Sequence, residues 1–308
     1  MINKWIKHIA RLSLPAYLYE SENMRFVYAG YSSIKRNYYT RMVLNNTQKE
    51  TYIGRLMFWQ LKRLIKSSNL DLVISEISRI SLNHFQTHGG YVIPEWVEMR
   101  INIDRPLDEL SRESVSDFAR VARRIRKYNL SYEMLSDDES FNYFYNRMYL
   151  PYISKRHGEE ALIEDLNLFW KSSPSPILIF IRENGIVVGG SLIKKNGDTL
   201  KGIRLGLLDG NDEYMRHGVI GAIYYFCVIE GQKMGCNYLD IGGSRPFLND
   251  GLTKYKLGLS AEFAIESSPW KEYLWLGVKD GSLAANEFLQ KNPFMHLSKD
   301  NLYLSSMP

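Results

Sequence analysis

The stretch that most constrains the fold runs from residue 177 to 256. Three apolar runs, 176–181, 186–193 and 200–208, are separated by Glu183-Asn184-Gly185 and Asn196-Gly197-Asp198. Short Asn-Gly turns between β-branched runs predict an antiparallel meander. The apolar stretch from about 216 to 234 predicts one long helix. Tyr238-Leu239-Asp240-Ile241 then predicts a short buried strand, running into Gly242-Gly243-Ser244-Arg245-Pro246. Leu252-Thr253-Lys254-Tyr255-Lys256-Leu257-Gly258 closes the segment. A meander, a crossover helix and a strand ending in glycines predict a half-open α/β sheet with a cleft at its strand ends.

The remainder reads as mixed α/β. Residues 16–19 and 26–28 predict strands joined by a polar turn. Residues 51–67 predict a helix with Ile53, Leu56, Met57, Gln60, Leu61 and Leu64 on one face. Residues 70–77 and 97–104 predict strands, and Ser81 predicts the cap of a short helix ending before Gly89-Gly90. A helix is expected to open at Pro106 and continue through residues 118–127, followed by a strand at 130–134. Ser136-Asp137-Asp138-Glu139 predicts the cap of a helix over 139–156. Strands are expected at 261–265 and 273–278, a helix at 284–289, and a last short strand or hairpin over 294–304.

At 308 residues the chain has room for two domains of ordinary size. The strand–helix–strand pattern repeats about a junction on the basic stretch near 128, with no Pro/Gly/Ser linker. The expected domains are therefore 1–128 and 129–308. Charge is uneven: residues 1–130 hold 21 Lys and Arg against 12 Asp and Glu, whereas the rest holds 18 against 22. A basic first half suits an anionic ligand such as a nucleotide, CoA or tRNA, and equally a solvated face. Two cysteines, Cys227 and Cys236, support neither a disulfide framework nor a cysteine metal site. The six His form no metal-ligand pair, so no metal is expected. Lys4, Lys7, His8 and Arg11 interrupt any secretory apolar stretch, and the run 219–229 is about half a bilayer's span. The expectation is a cytoplasmic protein with no transmembrane segment. Trp5, Ile6, Ile9 and Leu12 predict one face of a short basic helix, docked on its own domain or on a membrane surface.

Four places can carry chemistry. Glycines at the end of the 238–241 strand admit close approach of a ligand, and Ser244 and Arg245 beside them supply a hydroxyl and a charged fork. Arg216, Gly218 and Gly221 open the expected long helix, where free N–H groups and a positive dipole end suit a phosphate. Lys254 and Lys256 can stabilise negative charge on a tetrahedral intermediate, hold an anionic substrate, or be solvated. Arg123-Arg124-Ile125-Arg126-Lys127 can fork onto phosphates or form an exposed face. Asp240 and His157 are the candidate bases.

In order along the chain, these places resemble the GNAT-like acyltransferase superfamily, and within it the Fem-type (FemAB-like) aminoacyl and peptidyl transferases. The resemblance rests on Pro94-Glu95-Trp96 with the strand to Asp104 and the Pro106–Leu110 stretch, on Arg123 to Leu130, on residues 144–158, and on Asp240-Ile241-Gly242-Gly243 with Tyr255-Lys256-Leu257-Gly258. It spans roughly residues 90–265. It implies an α/β (α+β) fold of two tandem GNAT-like domains, mixed sheets flanked by helices, the first degenerate. It further implies an N-acyltransferase moving an acyl group, without metal, from acyl-CoA or an aminoacyl-tRNA onto a small-molecule or precursor amine. By the same resemblance Lys256 and Asp240 are catalytic. Arg124, Lys127, Ser244, Arg245 and Tyr255 bind substrate, and Arg216, Gly218 and Gly221 bind the donor. The alternatives are an aminoacyl-tRNA-dependent transferase of a cell-wall or nucleotide-linked precursor, and a non-catalytic ligand-binding member of the fold. The helical arm many Fem-type enzymes carry has no counterpart in this sequence.

Overall fold

The computed structural model describes residues 11–44, 49–67, 69–86, 90–112, 117–157, 177–264, 271–298 and 301–305. The expected face of Trp5, Ile6 and Ile9 lies outside these residues, as do Gly89 and Gly158. The chain opens with hairpin β1 (Ser13–Glu20) and β2 (Arg25–Ala29), then α1 (Ser33–Leu44), β3 (Glu50–Met57), α2 (Phe58–Ser67) and β4 (Leu72–Ile77). A 3₁₀ turn leads into α3 (Leu82–Gln86), followed by β5 (Tyr91–Pro94), β6 (Val97–Asn102), α4 (Leu107–Arg112), α5 (Phe118–Lys127) and β7 (Leu130–Leu135). Helix α6 (Asp138–Phe144) passes through a π-turn (Tyr145–Tyr149) into α7 (Leu150–His157). The meander is β8 (Ile177–Glu183), β9 (Ile186–Asn196) and β10 (Thr199–Leu207). It is followed by α8 (Asp212–His217), α9 (Val219–Lys233) and β11 (Tyr238–Ser244). The end of the chain supplies α10 (Gly251–Gly258), β12 (Ala261–Ala264), β13 (Tyr273–Val278), α11 (Leu283–Lys291), β14 (Met295–Ser298) and β15 (Asn301–Leu304).

These elements form two mixed sheets flanked by helices, ordered β15-β14-β5-β13-β4-β2-β1-β3 and β12-β6-β11-β10-β9-β8-β7. The fold class expected from sequence, α/β with mixed sheets and helices on their faces, is the one observed. The chain divides into two compact units. Unit 1 comprises residues 1–97, 244–254 and 265–308; unit 2 comprises residues 98–243 and 255–264. The junction expected at 128–129 falls inside unit 2, between α5 and β7. No composition signal marks the observed division, because each sheet takes strands from distant parts of the chain.

Unit 1 packs two apolar layers against its sheet. One contains Leu14, Leu61, Ile65, Val73, Phe85 and Trp275; the other contains Phe26, Tyr28, Tyr39, Ile74, Leu276 and Phe294. Alternate residues of β2 and β4 serve the two layers, as the two-residue strand period requires. Strands β2 and β4 are parallel, with Phe26–Leu72 through Ala29–Ser75 in register.

The helix expected over 51–67 is a correction. Glu50–Met57 is a strand paired antiparallel with β1, and only Phe58–Ser67 is helical. Thr51, Tyr52 and Ile53 favour an extended backbone. Gly54 at φ +98° accompanies a bulge that shifts the register, so the apolar spacing read as helical belongs to a bulged edge strand. Leu61 and Ile65 are the buried residues of the helix proper. The cap expected at Ser81 is instead Ser78, whose hydroxyl accepts from the Ser81 N–H. Residues 113–116, between α4 and α5, lie outside the described part of the helix expected to run from 106 to 127.

Unit 2 has helices on both faces of its sheet. Phe141, Phe144, Tyr145, Met148 and Tyr149 pack on Leu178, Phe180 and Leu192. On the other face Phe118, Val121, Val219, Ala222 and Ile223 pack on Ile179, Ile181, Ile193 and Leu200. Asp137 caps the first helical segment, accepting from Ser140 N at 2.8 Å, as the acidic cluster predicted. The π-turn presses its backbone onto β10. A Cβ on Gly206 would lie 2.5 Å from the Met148 carbonyl carbon, so only glycine fits there.

The single helix expected over 216–234 is two. Gly218, at φ +94°, ends α8 and begins α9. A left-handed residue cannot continue a right-handed helix, and the glycine takes that conformation without the Cβ penalty. Arg216 therefore sits in the last turn of α8, not the first turn of α9.

Candidate functional site

The site is set by where β10 and β11 separate. They are parallel and pair at Thr199–Tyr238, Leu200–Leu239 and Lys201–Asp240, and at no later position. β10 continues to Leu207 against β9 alone, while β11 runs on through Gly242 and Gly243. Beyond Lys201–Asp240 the two strands share no ladder pair. The sequence expectation was a half-open sheet with a cleft at its strand ends, and the β10–β11 ladder ends at this point.

Helix α9 connects the two strands, and its first turn lies at the carboxyl end of β10. A Cβ on Gly189, which pairs with Leu207, would come 2.8 Å from Val219 Cγ1. No side chain caps this helix, so the N–H groups of its first turn carry no capping bond. Helix α5 packs across the same turn. A Cβ on Gly221 would touch Val121 at 2.8 Å, and one on Gly218 would touch Arg124 Cδ at 2.7 Å. The Arg124 head group is exposed, and so are Arg123, Arg126 and Lys127, the last with Nζ 5.0 Å above the Tyr128 ring. Arg124, Gly218 and Gly221, singled out separately in the sequence, thus converge on one helix terminus.

Tyr255 joins them. A Cβ built on Gly221 would lie 3.7 Å from the Tyr255 hydroxyl. That hydroxyl has no hydrogen-bond partner among the described residues. Burial, reinforced by the Asp117 carboxylate, raises its pKa well above the ordinary phenol range, so it stays protonated.

Lys256 takes a different place from that expected of a lysine in an open cleft. It is 3% exposed, and its Nζ donates to the carbonyl oxygens of Gly242 at 2.9 Å and Gly243 at 2.8 Å. The side chain therefore ties α10 to the glycine end of β11. Burial lowers its pKa to about 8, with Glu98 and Asp240 opposing the fall. Asp240 is also engaged. Its Oδ1 accepts from the Gly242 N–H at 2.8 Å, and its Oδ2 lies 3.1 Å from Lys201 Nζ. Together Asp240 and Lys256 fix the left-handed turn at Gly242, φ +77°.

Three residues from the sequence reading sit elsewhere. Ser244 is fully buried, and its hydroxyl has no hydrogen-bond partner among the described residues. The Arg245 guanidinium, in unit 1, stacks 3.7 Å above the Tyr38 ring and 5.2 Å from that of Trp96. Arg216 is exposed on α8. The side chain of His157 lies outside the described residues.

Sequence reasoning passed over His217. Its Nδ1 is 2.9 Å from Glu183 Oε1, and its ring stacks on Tyr128 at 4.1 Å, joining α8 to the turn after α5. A histidine directly before the glycine that breaks the helix was the available signal. Cys227 and Cys236 are buried and unpaired, and burial pushes the Cys227 thiol up to about 12, which makes it inert. Among the described residues there is no cluster of three metal-ligating side chains. No helix of the described residues is long and apolar enough to cross a membrane.

No protein-family model matches the chain, and no curated protein sequence matches it. Among solved structures it is similar to FemX, at 12% identity, covering 83% of this chain and 82% of that one with a TM-score of 0.44. It is similar to L-PGS from Bacillus licheniformis at 11% identity, covering 89% and 83%, TM-score 0.42. It is similar also to a GCN5-related N-acetyltransferase from Sphaerobacter thermophilus at 12% identity, covering 92% and 78%, TM-score 0.38. At these identities and scores the likeness assigns no role to any residue of this chain.

Proposed function

We propose that unit 2 is an N-acyltransferase that moves an acyl group from a phosphate-bearing activated donor, acyl-CoA in the first instance, onto an amine. The observation that carries this reading is the separation of β10 from β11 beside the uncapped start of α9. The end of the β10–β11 ladder is the place assigned to a planar acyl group, and the helix terminus offers N–H groups and a positive dipole to the donor's phosphates. Arg124 and Lys127, on α5, add charge at the same terminus.

In the reaction the free amine attacks the acyl carbonyl carbon. A C–N bond forms and the bond to the leaving sulfur or oxygen breaks. The leaving group takes one proton, and the new ammonium gives one up. Tyr255, protonated and beside Gly221, is the group assigned to supply the first. Asp240, at the last paired position of β11, is the carboxylate assigned to receive the second. Lys256 acts by holding the carbonyls of Gly242 and Gly243. Two of its three N–H bonds are committed there, which leaves one for a developing oxyanion.

A thermal-shift series with acetyl-CoA, longer acyl-CoAs and free CoA tests the donor. At one hundred times Kd a bound donor stabilises by ~2.7 kcal/mol, and Arg124→Ala should lose most of that shift. Tyr255→Phe should keep the melting temperature and lower kcat by roughly 10²–10⁴, the range for a lost proton donor. The absence of both acyl-CoA binding and transfer to any amine would end the reading. The four exposed cations at residues 123–127 also favour a second donor, aminoacyl-tRNA. Its binding would weaken steeply with salt, whereas CoA binding would not.

A further inference from the structure

Unit 1 buries an ion cluster that acyl transfer does not use. Arg11, which enters β1, is 7% exposed; its Nη2 lies 2.8 Å from Glu272 Oε1 and 3.4 Å from Glu76 Oε2. Lys35 of α1 donates to Glu95 Oε2 at 2.6 Å and Glu272 Oε2 at 2.9 Å. Glu76 of β4 is 2% exposed and accepts from the Tyr28 hydroxyl at 2.8 Å and the Ser32 N–H at 2.9 Å. Gly30 makes room for it, since a Cβ there would lie 2.5 Å from Glu76 Oε1. Glu95 follows β5, Glu272 precedes β13, and the Glu95 N–H donates to the Glu272 carbonyl at 3.0 Å.

Three carboxylates therefore face two cations. An uncompensated buried charge is expensive, so the cluster is balanced only when it holds one more proton. Lys35 Nζ donates to an oxygen of each, which brings the Glu95 and Glu272 carboxyls to one ammonium, and two carboxyl groups crowded there favour sharing one proton. Burial and the neighbouring Glu272 carboxyl push Glu95 up to about 7. Against the upward push of burial, the neighbouring Glu95 carboxyl, Arg11 and Lys35 hold Glu272 well below the usual carboxyl range. Arg11 and Lys35 are held above their ordinary values despite burial, by the surrounding carboxylates, and stay charged. Tyr28 and Tyr39, raised by burial, stay neutral.

We propose that this cluster is a proton-operated latch in unit 1: with one proton shared between Glu95 and Glu272 it ties α1 and the ends of β5 and β13 to β1 and β4, and release of that proton loosens them. The folded state binds the proton more tightly than the unfolded chain. Its stabilising effect is complete below the ordinary glutamate range and is lost as pH rises toward 7. Glu272 titrates below that window and does not alter the slope.

The test compares wild type, Glu95→Gln and Glu272→Gln by chemical denaturation between pH 5 and 8. The folding equilibrium constant of wild type should fall by about tenfold per pH unit between 5 and 7 relative to either variant, the effect of one proton. All six histidines are common to the three proteins. In hydrogen exchange, the Ser32 and Arg36 amides of wild type should open more above pH 7 than their intrinsic pH dependence gives, and those of the variants should not. Parallel stability curves would overturn the latch, as would equal amide opening. If both variants fail to fold, infrared spectroscopy of wild type decides it: a buried protonated carboxyl should be present at pH 6 and gone at pH 9, and its absence at pH 6 refutes the proposal.

Discussion

Replacing Lys256 with methionine separates charge from packing at the glycine end of β11. The ammonium is 3% exposed and its pKa falls from 10.5 to about 8, so the folded state binds this proton less tightly than the unfolded chain. A fall from 10.5 to about 8 corresponds to about 3 kcal/mol. That cost is fully present below pH 8 and disappears as pH rises through 10.5. The two hydrogen bonds to the carbonyls of Gly242 and Gly243 act in the opposite direction, at about 1.5–3 kcal/mol each for a charged donor. Methionine removes the charge cost and the bonds together, so near pH 7 the two effects largely offset. At pH 9.5 much of the charge cost has already left the wild type. The stability difference between wild type and Lys256→Met should therefore move by about 2 kcal/mol in favour of wild type between pH 7 and pH 9.5. Urea denaturation at the two pH values measures it, and the tyrosines that titrate in this range cancel in the difference. Parallel curves for the two proteins would show that Lys256 is not buried as a cation, and the account of the β11 terminus would fall with it.

Gly206→Ala should be severely destabilising, at ~1–3 kcal/mol or more, because the new methyl meets the Met148 and Tyr149 backbone at 2.5–2.7 Å and neither side can yield; an unchanged melting temperature would contradict the close contact of β10 with the π-turn. Gly218→Ala should cost about 1–2 kcal/mol from the left-handed backbone alone and should displace Arg124, which urea denaturation and the acetyl-CoA thermal shift would register separately. Ser282→Ala should cost ~1 kcal/mol by denaturation, since its hydroxyl accepts from Ala285 N at 3.1 Å and donates to Asp71 at 2.7 Å.

Much of unit 2 was legible in the order of its residues. The Asn-Gly turns fixed the meander at Asn184 and Gly197, and the acidic cluster before Glu139 marked a helix start. Gly218 was misread, because Arg216 and His217 are as compatible with the first turn of a helix as with its last, and only the positive φ of Gly218 shows the break. Glu50–Met57 was misread for the converse reason: its apolar spacing fits a helical face, while pairing with β1 makes it a strand. Helix α10 had no periodic signal strong enough to declare it.

The sequence by itself settled what is local. Turn chemistry, caps and the alternation of apolar residues depend on neighbours a few positions apart, and those were readable. Tertiary structure decided which strands share a sheet, that β6 and β12 join the meander while β13–β15 return to the first sheet, and that Lys256 is a buried brace rather than a free cation. It also brought Arg124, Gly218, Gly221 and Tyr255 to one helix terminus, and gathered Arg11, Lys35, Glu76, Glu95 and Glu272 from across 262 positions of chain into one charge-balanced cluster. The physical reason is common to all of these. Burial sets the strength of a charge and the meaning of a polar group, and burial is a property of the folded neighbourhood, which no window of sequence contains.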